Sequence, residues 1–118
     1  MDFLSSRNSD GAAAEELAAR YLQAQGLTIV ERNYRIRGGE IDLIAKQGQT
    51  LVFVEVRLRR SQRFGGAAAS VDAFKQGRVV LAAGHYLQGR DIACRFDVVL
   101  LDEVDAGRIE WIRDAFNA

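Results

Sequence analysis

Alternation of apolar and polar residues marks the middle of the chain. It covers Ile41–Ala45 and Leu51–Leu58, which flank the short polar stretch 46–50. Alternation on both sides of a glycine-containing break is typical of a β-hairpin. A turn centred between Gly48 and Gln49 would fix the register of its two strands.

This register would bring two acidic residues together. Asp42 and Glu55 would lie directly opposite each other on one face, with their Cβ atoms about 4.5–5.5 Å apart. Arg57 follows on the same face, because side chains along a strand alternate with a period of two. Two facing carboxylates repel each other, so we expect a cation between them. That cation is either a metal ion or Arg57 itself.

Two helical patterns and three further strand patterns account for the rest of the chain. An apolar stripe predicts a helix over 11–25, with Asp10 as its N-cap and Gly26 at its stop position. A second helix is predicted from Ser70, which suits an N-cap, to about Gln88. Further strands are predicted at 27–36, at 93–101 and, as a short edge strand, at 108–113.

The resulting order αβββαββ predicts the α/β fold class. A mixed central sheet with a helix on each face, an α/β/α sandwich, is the simplest arrangement that buries all the apolar stripes. A chain of 118 residues without a linker or a repeat fits a single domain spanning 1–118, whose polar first ten residues we expect to be frayed.

Composition favours the cytoplasm. The single cysteine excludes an intrachain disulfide, which suits a reducing compartment. Residues 1–9 lack the apolar segment of a signal peptide, and no apolar run is long enough to span a membrane. The formal net charge is zero, but 31–63 holds eight Lys and Arg against four Asp and Glu. This segment could form a positive face for nucleic acid, or an ordinary solvated surface.

The acidic pair allows two interpretations. Asp42 and Glu55, joined by Glu15 if the first helix lies nearby, would form an all-oxygen site of the kind that Mg²⁺ prefers. Such an ion could polarise a phosphodiester and activate a water molecule. An inert salt-bridge cluster with Arg57 explains the same pattern equally well. If DNA is the partner, we expect the arginines that follow to contact its phosphates: Arg59, Arg60 and Arg63.

A run of short motifs resembles the YraN-like family of small bacterial proteins. The run comprises RNYR at 32–35, GEIDLIA at 39–45, FVEVRLR at 53–59, a Phe-Gly pair in the following loop, and RFDVV at 95–99. That family is in turn similar to the PD-(D/E)XK nuclease superfamily, which includes restriction endonucleases and archaeal Holliday junction resolvases. The resemblance implies a restriction endonuclease-like form of the α/β/α sandwich.

The resemblance also implies roles for individual residues. Asp42 corresponds to the first metal-binding acid, Glu55 to the second, and Glu15 to the acid that resolvases supply from their first helix, with Mg²⁺ or Mn²⁺ as the ion. Arg57 stands where the superfamily has its active-site lysine. An arginine keeps the charge but cannot give up a proton, so this departure leaves catalysis open. Lys75, on the second helix, is a cation that could reach the site instead.

Three functions are compatible with these observations. The first is a metal-dependent endonuclease of the Holliday-junction-resolvase type, which hydrolyses phosphodiesters of DNA, branched DNA included. Resolvases act as twofold dimers, so the resemblance also implies a homodimer. The second is a non-catalytic nucleic-acid-binding module whose site is degenerate at Arg57. The third is a protein-interaction module, which the zero net charge keeps open.

Overall fold

The elements follow each other in the predicted order αβββαββ. The computed structural model describes residues 3–59, 72–102 and 107–118. Within these ranges the helices are α1 (Phe3–Ala24) and α2 (Ala73–Leu87), and the strands are β1 (Thr28–Ile36), β2 (Gly39–Gln47), β3 (Thr50–Arg59), β4 (Cys94–Asp102) and β5 (Ile109–Phe116).

The five strands form one mixed sheet in the order β1-β2-β3-β4-β5. Neighbouring strands run antiparallel except β3 and β4, which pair in parallel. A parallel pair needs a crossover connection, and α2 lies in the chain between these two strands. The prediction of an α/β fold with a mixed central sheet is confirmed.

The central hairpin has the predicted register. Its pairs match a turn centred between Gly48 and Gln49, and the ladder runs as far as Leu43 opposite Val54. Gly48 has a φ of +60°, and a positive φ at the first turn residue is what a two-residue turn of type II′ requires. The two predicted acids come next along the strands, immediately beyond the last pair.

Each face of the sheet carries one helix. On one face, Ala18 and Leu22 of α1 pack into a buried cluster with Val52, Val54 and Val99. The opposite face is covered by α2, which contributes three buried residues to a second cluster: Val79, Ala82 and Ala83. Neither α1 nor α2, the helices of the described ranges, is long and apolar enough to span a membrane.

The second helix approaches the sheet closely at Gly39. A Cβ atom at this position would lie 2.7 Å from the carbonyl oxygen of Arg78 and 3.1 Å from the amide nitrogen of Ala82. Glycine therefore lets the backbone of α2 come against the first residue of β2. This contact holds the first turns of α2 over the end of the hairpin where the two acids lie.

The helix starts differ from their predicted positions. α1 begins at Phe3, so Asp10, the predicted N-cap, lies inside the helix. The N-cap of α2 is Asp72 rather than Ser70, and its carboxylate accepts a 2.8 Å hydrogen bond from the backbone N–H of Lys75. Apolar periodicity does not distinguish Asp72 from Ser70 as the N-cap of α2, and it does not show that α1 begins as early as Phe3.

The last strand is longer than predicted because it contains a bulge. β5 extends to Phe116, and its register against β4 shifts between Phe96 and Val98. Asp114 has a φ of +54°, in the left-handed region that bulged strands use for their extra residue. The bulge interrupts the alternation, which is why the apolar pattern ended too early.

Candidate active site

Glu55, on β3, is buried where no group of the described residues donates a hydrogen bond to its carboxyl. When Glu55 carries its proton, the carboxyl shares a side-chain hydrogen bond with Asp42. Its side chain is 0% exposed, although a glutamate is almost never fully buried unless it is paired. Among the residues that the structure describes, neither Oε1 nor Oε2 accepts a hydrogen bond. Such an unsatisfied buried group costs about 1–3 kcal/mol, and more if it is charged. A carboxyl kept at this cost calls for a functional explanation.

Asp42 stands beside Glu55 at the end of the hairpin ladder. Its Oδ2 atom accepts a 2.9 Å hydrogen bond from the backbone N–H of Val56, so a side chain rather than the backbone of β2 satisfies this amide. The carboxyl groups are electrostatic neighbours, since the charge of Asp42 acts on Glu55. The structure therefore brings together the two acids that the hairpin register predicted.

The second helix adds an ammonium group to this pair. Lys75 Nζ lies 3.5 Å from Oε2 of Glu55. This distance gives electrostatic attraction, but it exceeds the roughly 2.7–2.9 Å of a strong charge-assisted hydrogen bond. Lys75 belongs to the first turn of α2, where the bond to Asp72 caps the helix. Lys75, 20 positions beyond Glu55 in the chain, is thus a cation close to this carboxyl.

Burial raises the pKa of both acids. For Glu55 burial is the largest cause and the charge of Asp42 the second, while the ammonium of Lys75 acts in the opposite direction; the pKa of Glu55 is raised to about 8. Burial also raises the pKa of Asp42, against the lowering effects of the Val56 hydrogen bond and of Lys75. Near neutral pH, full ionisation of the pair therefore requires additional positive charge.

Glu40 is a member of this cluster that reasoning from the sequence missed. Its Oε1 accepts a 3.4 Å hydrogen bond from Lys75 Nζ and lies 4.0 Å from Nη2 of Arg78. Its Oε2 lies 3.6 Å from Nε of Arg35. The sequence could have indicated Glu40 through its position two residues before Asp42, because residues i and i+2 of a strand share a face.

Glu15 lies near the cluster without completing a site of three acids. Burial and the charge of Asp42 raise the pKa of Glu15, while a hydrogen bond with the Asn33 side chain lowers it. Within the described ranges, no group of three or more His, Cys, Asp and Glu side chains is arranged to hold a metal ion. The structure thus brings Asp42 and Glu55 together, while Glu15 as a third ligand stays a prediction.

Arg57 is half-buried on β3, two residues beyond Glu55. It does not hydrogen-bond this glutamate, since neither carboxyl oxygen has such a partner in the part of the chain that the structure describes. The salt-bridge interpretation therefore lacks a hydrogen bond between Arg57 and Glu55, and it stays an open alternative for the cluster as a whole. The predicted phosphate contacts stay predictions, because Arg59 is the last residue of β3 and Arg60 and Arg63 lie outside the described residues.

A second buried carboxylate shows how this fold satisfies an acid that has a structural role. Asp97, on β4, is also 0% exposed. Its oxygens accept hydrogen bonds from Arg95 Nε at 3.1 Å, from Trp111 Nε1 at 2.9 Å and from the backbone N–H of Asp114 at 2.9 Å. Asp97 thus anchors the bulge of β5. Glu55 has the same burial and none of these donors, so the two acids differ in kind.

Comparison with known proteins gives a family but no activity. Residues 14–101 match the family described as "Uncharacterised protein family UPF0102". A UPF0102 protein of Nitrosomonas europaea is 54% identical over 116 residues, which cover 97% of this chain and 98% of the relative. A UPF0102 protein of Methylobacillus flagellatus is 58% identical over 109 residues, or 92% of this chain and 96% of the relative.

Proposed function

We propose that this chain, which belongs to the UPF0102 family, is a Mg²⁺- or Mn²⁺-dependent endonuclease that hydrolyses phosphodiesters of DNA. The observation that carries the proposal is Glu55, buried beside Asp42 and near Lys75, with both oxygens lacking a hydrogen-bond donor within the described ranges. The resemblance of the YraN-like motifs to PD-(D/E)XK nucleases names the reaction class.

The donor set suits a hard divalent cation. Asp42 and Glu55 offer carboxylate oxygens only, and Mg²⁺ is usually held by one or two carboxylates together with water and substrate phosphates. The raised pKa of both acids fits such a site, because two repelling carboxyls are stabilised in their ionised form by an added positive charge. When bound, the ion would polarise the scissile phosphate and lower the pKa of a water molecule.

Lys75 takes the role that the superfamily assigns to its active-site lysine. Its compact ammonium, 3.5 Å from Glu55, can donate to an attacking water or to a phosphate oxygen on which negative charge develops. Arg57 is larger and cannot give up a proton, so it is suited to hold a phosphate rather than to activate water. Although Arg57 replaces the lysine of the superfamily pattern, Lys75 supplies a lysine to the centre.

The partner in this proposal is DNA, and branched DNA is the form that resolvase-like proteins cleave. Its phosphates would be held by the basic segment that begins at the end of β3 and contains Arg59, Arg60 and Arg63. Glu15 would lie at the edge of the centre. Cleavage of a four-way junction needs two strands to be cut, which a homodimer with two such centres would achieve.

One observation favours a second candidate function, a non-catalytic nucleic-acid-binding module. The described residues contain no group of three side chains arranged as metal ligands, so the ion would rely on two acids from the protein. A chain that uses the same basic segment to hold DNA without cutting it would need no ion. The protein would then bind DNA equally well in Mn²⁺ and in EDTA.

The test is a cleavage assay with pure protein on linear, single-stranded, flapped and four-way-junction DNA, in Mn²⁺ and in EDTA. We expect cleavage of at least one form in Mn²⁺ only. Glu55→Gln and Lys75→Met should each lower the rate about 100-fold or more, the usual effect of removing one group that stabilises transition-state charge. Glu16→Gln, which alters an exposed ion pair on α1, is the matched control. Binding without cleavage in all eight conditions would establish the second candidate.

A further inference from the structure

Lys75 is shared between two carboxylates that belong to different strands. Its Nζ atom lies 3.4 Å from Oε1 of Glu40 on β2 and 3.5 Å from Oε2 of Glu55 on β3. Glu55 is fully buried, whereas the side chain of Glu40 is 29% exposed. Only the contact to Glu40 is a hydrogen bond within the part of the chain that the structure describes.

Glu40 is itself held by cations on both sides. Arg35, on β1, lies 3.6 Å from its Oε2, and Arg78, one helical turn after Lys75, lies 4.0 Å from its Oε1. These contacts join an edge strand, the first residues of β2 and the first turns of α2. Two arginines besides Lys75 thus pair with the carboxylate of Glu40.

We propose that Glu40 is a positioning residue, which holds the Lys75 ammonium beside Glu55. The position of Lys75 is inferred from geometry alone, and its effect on cleavage rests on the proposed function. A lysine side chain carries about 2 kcal/mol of rotamer entropy, so a defined ammonium position needs an anchor. The Asp72 cap fixes the backbone of Lys75, and Glu40 fixes the far end of its side chain.

This arrangement matters most when a cation is bound to Asp42 and Glu55. The positive charge of the ion would repel the ammonium from Glu55, and Lys75 would lose that contact. The hydrogen bond to Glu40 would remain and would keep the ammonium near the reacting atoms. Without Glu40 the side chain would turn toward solvent, since Lys75 is 24% exposed.

The experiment measures the order of the Lys75 side chain by NMR relaxation of its ¹⁵N-labelled ammonium group, in metal-free protein. We expect a high order parameter in wild type and a clear loss of order in Glu40→Gln and in Glu40→Asp, whose carboxylate is withdrawn by one methylene. Glu16→Gln is the matched control, because Glu16 also pairs with two arginines, Arg20 and Arg32. An unchanged order parameter in both Glu40 variants overturns the proposal.

Cleavage rates supply a second, independent readout. Glu40→Gln should be about 10-fold slower than wild type, as expected for a misplaced catalytic group. In a Lys75→Met background the same substitution should add no further loss, because residues that act through one group are non-additive. A further 10-fold loss in that background also overturns the proposal. If wild type cleaves no DNA, the proposed function fails, and the NMR result still decides whether Glu40 anchors Lys75.

Discussion

Replacing Glu55 by glutamine should stabilise the metal-free protein, and more strongly as the pH rises. The pKa of the Glu55 carboxyl is raised from 4.5 to about 8 in the folded protein, chiefly by burial. Between these values the folded state holds a proton that the unfolded state has released, so stability falls as the pH rises from about 4.5 to about 8. Glutamine has no such proton, and it has nearly the same size.

The magnitude follows from the same values. Each pKa unit corresponds to about 1.36 kcal/mol, so a change from 4.5 to about 8 sets an upper limit of about 5 kcal/mol on the loss of wild-type stability. Against a typical total of about 5–15 kcal/mol for a domain, a fraction of this limit is easily measured. Because Asp42 and Glu55 interact, the difference between the two proteins reports the ionisation of the pair rather than of Glu55 alone.

The assay is urea denaturation in EDTA at pH 5 and at pH 8. We expect Glu55→Gln to exceed wild type in free energy of unfolding at pH 8, with a much smaller difference at pH 5. Asp97→Asn is the matched control, since Asp97 is equally buried but accepts hydrogen bonds from three residues. The free energy of unfolding of this control should fall by roughly 2–4 kcal/mol at both pH values, because hydrogen bonds to a charged group are worth about 1.5–3 kcal/mol each.

One outcome would refute this reasoning. If Glu55→Gln is less stable than wild type at pH 8, the ionised carboxylate is stabilised by its surroundings. Glu55 would then belong with Asp97 as a structural acid, with Lys75 as its cationic partner.

Three further predictions concern the helix contact, the two cations and the basic segment. Gly39→Ala should lower the free energy of unfolding by about 1–3 kcal/mol, because its Cβ would lie 2.7 Å from the α2 backbone. Gly77→Ala, whose Cβ would have nothing within 4 Å, should instead raise the free energy of unfolding by about 0.5–1 kcal/mol. Equal effects of the two substitutions would contradict the close contact at Gly39. Arg57→Lys should change the cleavage rate far less than Lys75→Met, and the reverse order would return the active-site role to Arg57. Replacing the three arginines of 59–63 by alanine should reduce the slope of DNA affinity against salt by up to about three phosphate contacts, and an unchanged slope would exclude this segment.

The hairpin could be predicted from the sequence because its information is local. A two-residue turn with a glycine and apolar segments on each side admits few registers, and a shift by one residue would turn the buried side chains outward. That register was enough to bring Asp42 and Glu55 together. The start of α1 and the end of β5 could not be predicted in the same way, since the polar residues 5–10 and a bulge interrupt the apolar periodicity on which such predictions depend.

The position of the cation beside Glu55 could not be predicted from the sequence, because it depends on tertiary contacts. Lys75 reaches Glu55 because Gly39 admits the backbone of α2 and Asp72 starts the helix where it does, and neither contact has a signature in apolar spacing. Arg57 shared the predicted face with Glu55, which made it the obvious cation from the sequence alone. The structure instead shows no hydrogen bond to Glu55 among the described residues and places Lys75 Nζ 3.5 Å from its Oε2.

Calorimetric titration of the metal-free protein with Mn²⁺ tests the central claim most directly. We predict binding to wild type with release of protons into the buffer near pH 7, because the acids must ionise to hold the ion and the pKa of Glu55 is about 8. This binding should disappear in both Asp42→Asn and Glu55→Gln and persist in Glu16→Gln. Absence of Mn²⁺ binding to wild type, or binding that survives in Glu55→Gln, would contradict a metal site at this pair of acids.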